Sequence, residues 1–272
     1  MHLKTRKTRG FYIVAREPGA EKHDIPTWAN RLVNPVGLDS GSTDSNSMKP
    51  TFRHLKAERV GVAGVPGAYQ LLNVLSGEEC QQFIGITETL GYLEDAAVSL
   101  PRSVRHNHST TWVVDEQTDY LIWSRIAHLV SQDGRWFGNK SPVGLNARFR
   151  FYRYSMGDFF KPHTDGSWPG SRVINGELIA SAYPDRWSQM TVLFFLSDNF
   201  MGGETEFFLE SDGEITDSEN SKSTTRVVSV RTPLGAALCF PHGQHPLHCV
   251  HGSAPIQSGT KYIIRTDMLF EL

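Results

Sequence analysis

The sequence is poor in cysteine and nearly balanced in charge. Its 272 residues include three cysteines, Cys80, Cys239 and Cys249. They are too few and too unevenly spaced for a disulfide framework, so a reducing compartment fits better than secretion. The 27 basic and 29 acidic residues leave a formal charge of -2, and this balance predicts neither a nucleic-acid partner nor binding to a charged membrane surface.

Long apolar runs are also missing. The basic start of the chain, residues 1–10, has no apolar core of the kind that a secretory signal needs. No stretch approaches the roughly 18 apolar residues of a membrane span. We therefore expect no membrane span and a cytoplasmic or nuclear location. Because the start contains no acidic residue, an organelle-targeting segment is the alternative.

The chain does contain enough apolar and aromatic residues for one large core. Hydrophobic residues make up 39% of it, with 15 Phe and 6 Trp, and single cores stop growing near this chain length. The patterns divide the chain into three parts. Residues 1–60 are predicted to be a mostly irregular arm, residues 61–146 a helical support region, and residues 147–272 a β-rich core.

Two helices and many short strands are expected in these regions. Ser76 offers an N-cap followed by acidic residues, which predicts a helix start, and apolar residues recur at helical spacing over residues 119–130. From residue 147 onward, alternating or continuous apolar runs at 148–154, 190–196, 226–230, 236–240 and 261–270 indicate strands. Because helical crossovers are missing between them, a jelly roll or sandwich is favoured over a parallel α/β sheet.

A metal-binding pattern ends one of these strands. His163 and Asp165 are separated by one residue, and in extended backbone such positions point to the same side, so both can contact one ion. Two histidines and one carboxylate on one face of an octahedron leave three positions open, the arrangement of iron(II) oxygenases. Spacing does not select the third ligand among the four histidines of the segment 241–252, which are His242, His245, His248 and His251.

Several motifs of the chain, in order and spacing, resemble the prolyl 4-hydroxylase-like family of 2-oxoglutarate/iron(II)-dependent dioxygenases. The resemblance covers roughly residues 65 to 270. It is carried by a strand-turn element with Tyr154, Gly157, Phe160, His163 and Asp165, by the turn Gly202-Gly203-Glu204-Thr205, by Pro233, Gly235, Ala237, Leu238 and Phe240, and by the distal element His251, Pro255, Gly259 and Lys261. The chain departs from the family in having no acidic residue after His251, where close relatives often have Glu.

The resemblance implies a fold and a set of site residues. The fold is α+β but mainly β, with a double-stranded β-helix (jelly roll) core braced by N-terminal helices. His251 becomes the third metal ligand, and Lys261 pairs with the C5 carboxylate of 2-oxoglutarate. Tyr154 matches a position whose hydroxyl helps to hold 2-oxoglutarate. Arg265 has the same strand parity as Lys261 and is the alternative partner for that carboxylate.

The resemblance also implies a reaction. Fe(2+) and 2-oxoglutarate are the expected cofactors and O2 the co-substrate, with L-ascorbate dependence as in relatives. Decarboxylation of 2-oxoglutarate to succinate and CO2 accompanies hydroxylation of a substrate, most plausibly a prolyl residue in a protein or peptide. Trp168 lies where the family has a substrate-covering loop. The alternatives are a small-molecule hydroxylase of the same fold and a non-catalytic metal-binding jelly-roll module.

Overall fold

The computed structural model describes residues 10–41, 56–97, 99–210 and 225–272. In these ranges the two α-helices are α1 (Gly77–Leu90) and α2 (Glu116–Val130), followed by a 3-10 turn at Asp133–Trp136. The strands before and between the helices are β1 (Phe11–Glu17), β2 (Ile25–Asn30), β3 (Glu58–Gly61), β4 (Tyr69–Leu72), β5 (Arg105–His106) and β6 (His108–Val113). The strands after α2 are β7 (Pro142–Leu145), β8 (Arg148–Tyr154), β9 (Phe159–His163), β10 (Arg172–Ile174), β11 (Glu177–Ile179), β12 (Arg186–Phe195), β13 (Phe200–Gly202), β14 (Thr205–Glu210), β15 (Thr225–Val230), β16 (Ala237–Pro241), β17 (Val250–Ser253), β18 (Ile256–Gly259) and β19 (Lys261–Glu271).

Most of these strands form two sheets. The larger sheet has the order β1-β2-β6-β8-β19-β12-β16-β4-β3, with β7 paired to β19, and the smaller sheet has the order β15-β14-β17-β9-β5. All strand pairs in both sheets are antiparallel except β2 with β6. The predicted fold, mainly β with a jelly-roll core and supporting helices, is confirmed.

The side-chain pattern of the strands explains two separate apolar cores. On β8, Phe149 and Phe151 face the helices, whereas Tyr152 and Tyr154 face the smaller sheet. The continuous apolar run of β12 is buried on both faces, as expected for a central strand covered on each side. The larger sheet therefore separates a helix-side core from an inner core that surrounds the candidate site.

The helices are joined to each other by a buried ion pair. Ser76 caps α1 in a reciprocal capping box with Glu79, which confirms the predicted helix start. The Glu79 carboxylate also accepts hydrogen bonds of 2.7 and 2.8 Å from the Arg125 guanidinium of α2. Burial alone would raise the pKa of Glu79, but this guanidinium lowers it. The pair holds both helices in place behind the larger sheet.

The prediction of a mostly irregular arm over residues 1–60 is wrong for residues 11–30. These residues form the β1–β2 hairpin, and β2 extends the larger sheet beside β6. Alternate residues of β2, namely Ile25, Thr27 and Ala29, are buried, but Thr27 is polar and Pro26 interrupts the pattern, so the period is weak in the sequence. Residues 1–9 and 42–55 of the arm lie outside the described residues, and the boundaries at residues 60 and 146 remain predictions.

None of the helices in the described ranges has the length and apolarity that crossing a bilayer requires.

Replacing Phe151 by alanine is expected to lower the free energy of unfolding by about 3–5 kcal/mol, because a cavity replaces a buried ring. Phe151 is 0% exposed and its ring centroid lies 5.9 Å from those of Phe83 and Trp112. Urea unfolding followed by circular dichroism measures the change. Tyr120→Ala is the control, since Tyr120 is 56% exposed on α2 and should change stability by less than about 0.5 kcal/mol. Equal effects of the two substitutions would contradict this description of the core.

Candidate metal centre

Three potential metal ligands converge at one end of the smaller sheet. His163 ends β9, Asp165 follows it by two residues, and His251 lies on β17 directly opposite His163 in the strand register. One ligand atom from each residue lies within 4.8 Å of the other two. The Nε2 atoms of His163 and His251 are 3.8 and 3.6 Å from the Asp165 carboxylate oxygens. Because bonds from a metal to such atoms are about 2.0–2.2 Å, atoms at this separation can share one ion.

Both imidazoles present the same nitrogen to the centre. The Nδ1 atom of His163 lies 2.8 Å from the carbonyl oxygen of Lys161, and that of His251 lies 3.1 Å from the carbonyl of Cys249. A carbonyl can only accept, so each Nδ1 carries the proton and each Nε2 keeps its lone pair. Such backbone contacts orient metal-binding histidines.

The protonation states also suit a cation. Burial and the neighbouring His251 ring lower the pKa of His163 to about 4, and burial lowers the pKa of His251, so both rings are neutral near pH 7. Burial alone would raise the pKa of Asp165, but the Arg265 guanidinium holds it well below its usual range. A metal ion can therefore bind the two neutral imidazoles and the carboxylate without displacing a proton from any of them.

The three other histidines near β17 bind elsewhere. His242 lies between two hydroxyl groups of β12. The Nε2 atom of His245 contacts the Trp136 carbonyl at 2.8 Å, and the Nδ1 atom of His248 contacts the His245 carbonyl at 2.9 Å. The geometry thus places His251, and none of these three, in the cluster of ligand atoms.

A pocket lined by both sheets adjoins the cluster and contains Lys261 at its wall. Lys261 is 1% exposed, and its Nζ atom donates to the Gly203 carbonyl at 2.6 Å and to the Ser253 hydroxyl at 2.9 Å. Within the described residues, no carboxylate forms an ion pair with it at 4.0 Å or less. Burial and repulsion from Arg231 lower the pKa of Lys261 to about 7. A buried amine bonded only to neutral oxygens is well suited to bind an anion from the pocket.

The other two predicted cofactor-binding residues occupy different surroundings. Tyr154 lies opposite Lys261 in the strand register and lines the same pocket. Arg265 lines it as well, but its guanidinium is 3.5 Å from Asp165 and 3.0 Å from Asp267. Since Arg265 already has two carboxylate partners, the geometry favours Lys261 over Arg265 as the residue that receives an added carboxylate.

Sequence reasoning missed several residues of the site. Ser253 and Tyr152 line the pocket, and Asp267 pairs with Arg265 at 3.0 Å. The sequence signal available for Ser253 and Tyr152 was strand parity, because residues two apart on a strand face the same side. Ser253 lies two residues after His251, and Tyr152 lies two residues before Tyr154. Thr191 of β12 donates its hydroxyl to Asp165 at 2.6 Å.

The donor set fits the metal that the sequence motifs imply. It offers two nitrogens and one carboxylate oxygen within 4.8 Å of one another, and the three residues line the pocket that also contains Lys261. Two histidines and one carboxylate are the ligand set of non-haem iron(II) oxygenases. The residues present therefore fit ferrous iron together with an anionic co-substrate.

No protein-family model and no curated protein matches the chain. In fold, the chain is similar to prolyl hydroxylases. A viral collagen prolyl hydroxylase from Paramecium bursaria Chlorella virus 1, solved as a 2OG complex, is 15% identical, with a TM-score of 0.46 over 78% of this chain and 100% of that chain. A prolyl 4-hydroxylase from Pseudomonas putida is 13% identical, with a TM-score of 0.46 over 74% and 91% of the two chains. A prolyl hydroxylase from Trichoplax adhaerens, solved with a peptide fragment of a hypoxia inducible factor oxygen degradation domain, is 17% identical, with a TM-score of 0.47 over 76% and 83%.

The pKa of Lys261 predicts how the binding of 2-oxoglutarate depends on pH. A bound carboxylate stabilises the ammonium form and raises this pKa. Below pH 7 the free protein already carries the proton, whereas above pH 7 binding must take one up. We therefore expect the dissociation constant to rise by up to about tenfold per pH unit above pH 7.

Anaerobic calorimetric titration of 2-oxoglutarate between about pH 6 and pH 9 measures this dependence. Lys261→Arg is the matched control, because a guanidinium stays charged over this range and should remove the dependence. A wild-type affinity that does not change with pH, or the same slope in both proteins, would contradict the assignment of Lys261.

Proposed function

We propose that the protein is an iron(II)- and 2-oxoglutarate-dependent dioxygenase that hydroxylates a substrate. The observation that carries the proposal is the cluster of His163, Asp165 and His251 beside a pocket in which the buried Lys261 has no carboxylate partner among the described residues. A buried cation near a metal site is unfavourable by itself, because the two positive charges repel each other. A co-substrate with two carboxylates removes this difficulty, since one carboxylate binds the metal and the other binds Lys261.

Each residue has a defined role in this proposal. His163, Asp165 and His251 would hold Fe(2+), and Lys261 would bind the C5 carboxylate of 2-oxoglutarate. The Tyr154 hydroxyl lies in the same pocket and can donate to that carboxylate. When bound, iron and 2-oxoglutarate supply the oxidising chemistry, in which 2-oxoglutarate is converted to succinate and CO2 and the substrate gains a hydroxyl group.

The protein contributes an enclosed and partly apolar environment. Phe160, Leu193 and Ile263 form apolar walls of the pocket, and the ring of Phe240 packs 4.5 Å from that of His251. These groups make part of the lining between the ligands and Lys261 apolar. In a medium with little water, the attraction between the ammonium and a carboxylate is stronger than in bulk solvent.

We further propose that the substrate is a prolyl residue in a protein or peptide, with a small molecule as the alternative. The order and spacing of the motifs around His163, Asp165 and His251 support this proposal. Measuring which peptide or metabolite stimulates succinate formation distinguishes the two substrate classes. Dependence on L-ascorbate and a cytoplasmic or nuclear location remain predictions, and the three free, buried cysteines support a reducing compartment.

The central test is the conversion of 2-oxoglutarate to succinate, followed by proton NMR with and without ferrous iron. We expect conversion only with iron, and we expect His163→Ala and Asp165→Ala to reduce it to background because each removes a ligand. His128→Ala is the matched control, since His128 is an exposed histidine of α2, and it should retain wild-type conversion. Unchanged conversion in either ligand variant would refute the proposal, and a wild-type protein that binds iron without converting 2-oxoglutarate would support a non-catalytic module.

A further inference from the structure

A continuous chain of hydrogen bonds runs from the backbone of Trp168 to the candidate metal ligand Asp165. The Trp168 amide donates to the Ser188 hydroxyl at 2.7 Å. The Ser188 oxygen is 3.0 Å from Nε2 of His242, and Nδ1 of His242 is 2.9 Å from the Thr191 hydroxyl. Thr191 in turn donates to Oδ2 of Asp165 at 2.6 Å. We call these five residues the relay.

The two ends of the relay determine the direction of the bonds next to them. A backbone amide can only donate and an ionised carboxylate can only accept. The single Thr191 proton goes to Asp165, so His242 must donate to Thr191 through a protonated Nδ1. Within the described residues, His242 Nε2 is the one acceptor bonded to the Ser188 oxygen, so the Ser188 proton goes to Nε2. His242 is therefore a neutral imidazole with its proton on Nδ1.

A β-bulge makes this arrangement possible. Ser188 and Thr191 are three residues apart on β12 and would face opposite sides of a regular strand. The pairing of β12 with β19 shifts between Ser188 and Met190, and such a bulge redirects the side chains that follow it. The His242 amide also donates to the Gln189 carbonyl at 3.0 Å. The bulge and this bond place both hydroxyls on the two nitrogens of one imidazole.

The relay ends on one of the two carboxylate oxygens of Asp165. Oδ2 accepts from Thr191 and is 3.5 Å from the Arg265 guanidinium. Arg265 also pairs with Asp267, whose carboxylate is 3.8 Å from Nδ1 of His242. Oδ1, at 3.8 Å from the His163 Nε2 atom, has no hydrogen bond to any described residue. Oδ2 also lies 3.6 Å from the Nε2 atom of His251, so the relay holds a carboxylate whose two oxygens each face one imidazole of the ligand cluster.

We propose that His242 is a positioning residue, which through Thr191 holds the Asp165 carboxylate in place at the metal centre and connects this centre to the Trp168 segment. The inference rests on the proposed function, because it concerns the same metal site. It extends that function to a buried histidine that the sequence analysis considered only as a candidate ligand. The consequence is that metal affinity depends on residues that do not touch the metal.

Anaerobic titration of ferrous iron into the purified protein, followed by calorimetry, tests the proposal. We expect Thr191→Val and His242→Phe to weaken iron binding by about 10- to 100-fold, the range found when partners of metal ligands are removed. Thr191→Ser keeps the hydroxyl and His242→Asn offers an N–H near the position of Nδ1, so both should recover most of the affinity. His245→Phe is the matched control, because His245 is a buried histidine outside the relay, and it should bind iron like the wild type.

A smaller substitution tests the proposal even if the Thr191→Val and His242→Phe variants do not fold. Ser188→Ala breaks the relay at its distant end and should still weaken iron binding, whereas a purely structural role for His242 would leave the affinity of the folded variant unchanged. Nitrogen-15 NMR of the zinc-loaded protein reports the tautomer directly, and a His242 ring with its proton on Nε2 would overturn the proposal. Wild-type affinity in Thr191→Val and Ser188→Ala would overturn the inference alone. A wild-type protein that binds no iron would overturn the proposed function as well.

Discussion

The pairing of two short strands controls the geometry of the candidate site. β9 and β17 place His163 directly opposite His251, and side chains opposite each other on antiparallel strands have Cβ atoms about 4.5–5.5 Å apart. At this spacing two imidazoles can converge on one ion. Gly252 permits the close pairing, because a Cβ at this position would lie 2.7 Å from the Phe160 carbonyl oxygen. A slip of one residue would turn an imidazole to the other face of the sheet and remove the site.

The charges around this pair are distributed unevenly. Asp165 and Asp267 share the guanidinium of Arg265, so this cation already has carboxylate partners within the protein. Lys261, on the same strand as Arg265 and facing the same pocket, has a carbonyl and a hydroxyl as its hydrogen-bond acceptors among the described residues. Burying a charged amine in this way costs free energy that neutral partners offset only in part, and a bound carboxylate would recover it. The contrast between these two cations is the physical reason to propose that the pocket binds an anion.

Local patterns predicted the elements whose causes are local. The start of α1 follows from the Ser76 capping box, and the central position of β12 follows from its unbroken apolar run. The second helix was predicted to begin at residue 119 but begins at Glu116, because its cap is Asp115, which accepts from two amides of the first turn. The hairpin of β1 and β2 was missed, since β2 gains its stability from pairing with the distant β6 and not from a strong alternation of its own.

The sequence by itself determined the chemistry that is available at the site. His163 and Asp165 share a side of the chain because of their spacing, and the distal motif related His251 and Lys261 to a known family. The tertiary structure decided which groups meet. It places His251, and not the three nearby histidines, beside His163 and Asp165. It pairs Arg265 with the two aspartates, and it aligns the hydrogen bonds of the relay through His242. These outcomes depend on strand register and on a bulge in β12, and both arise from pairing between distant segments, which no local pattern encodes.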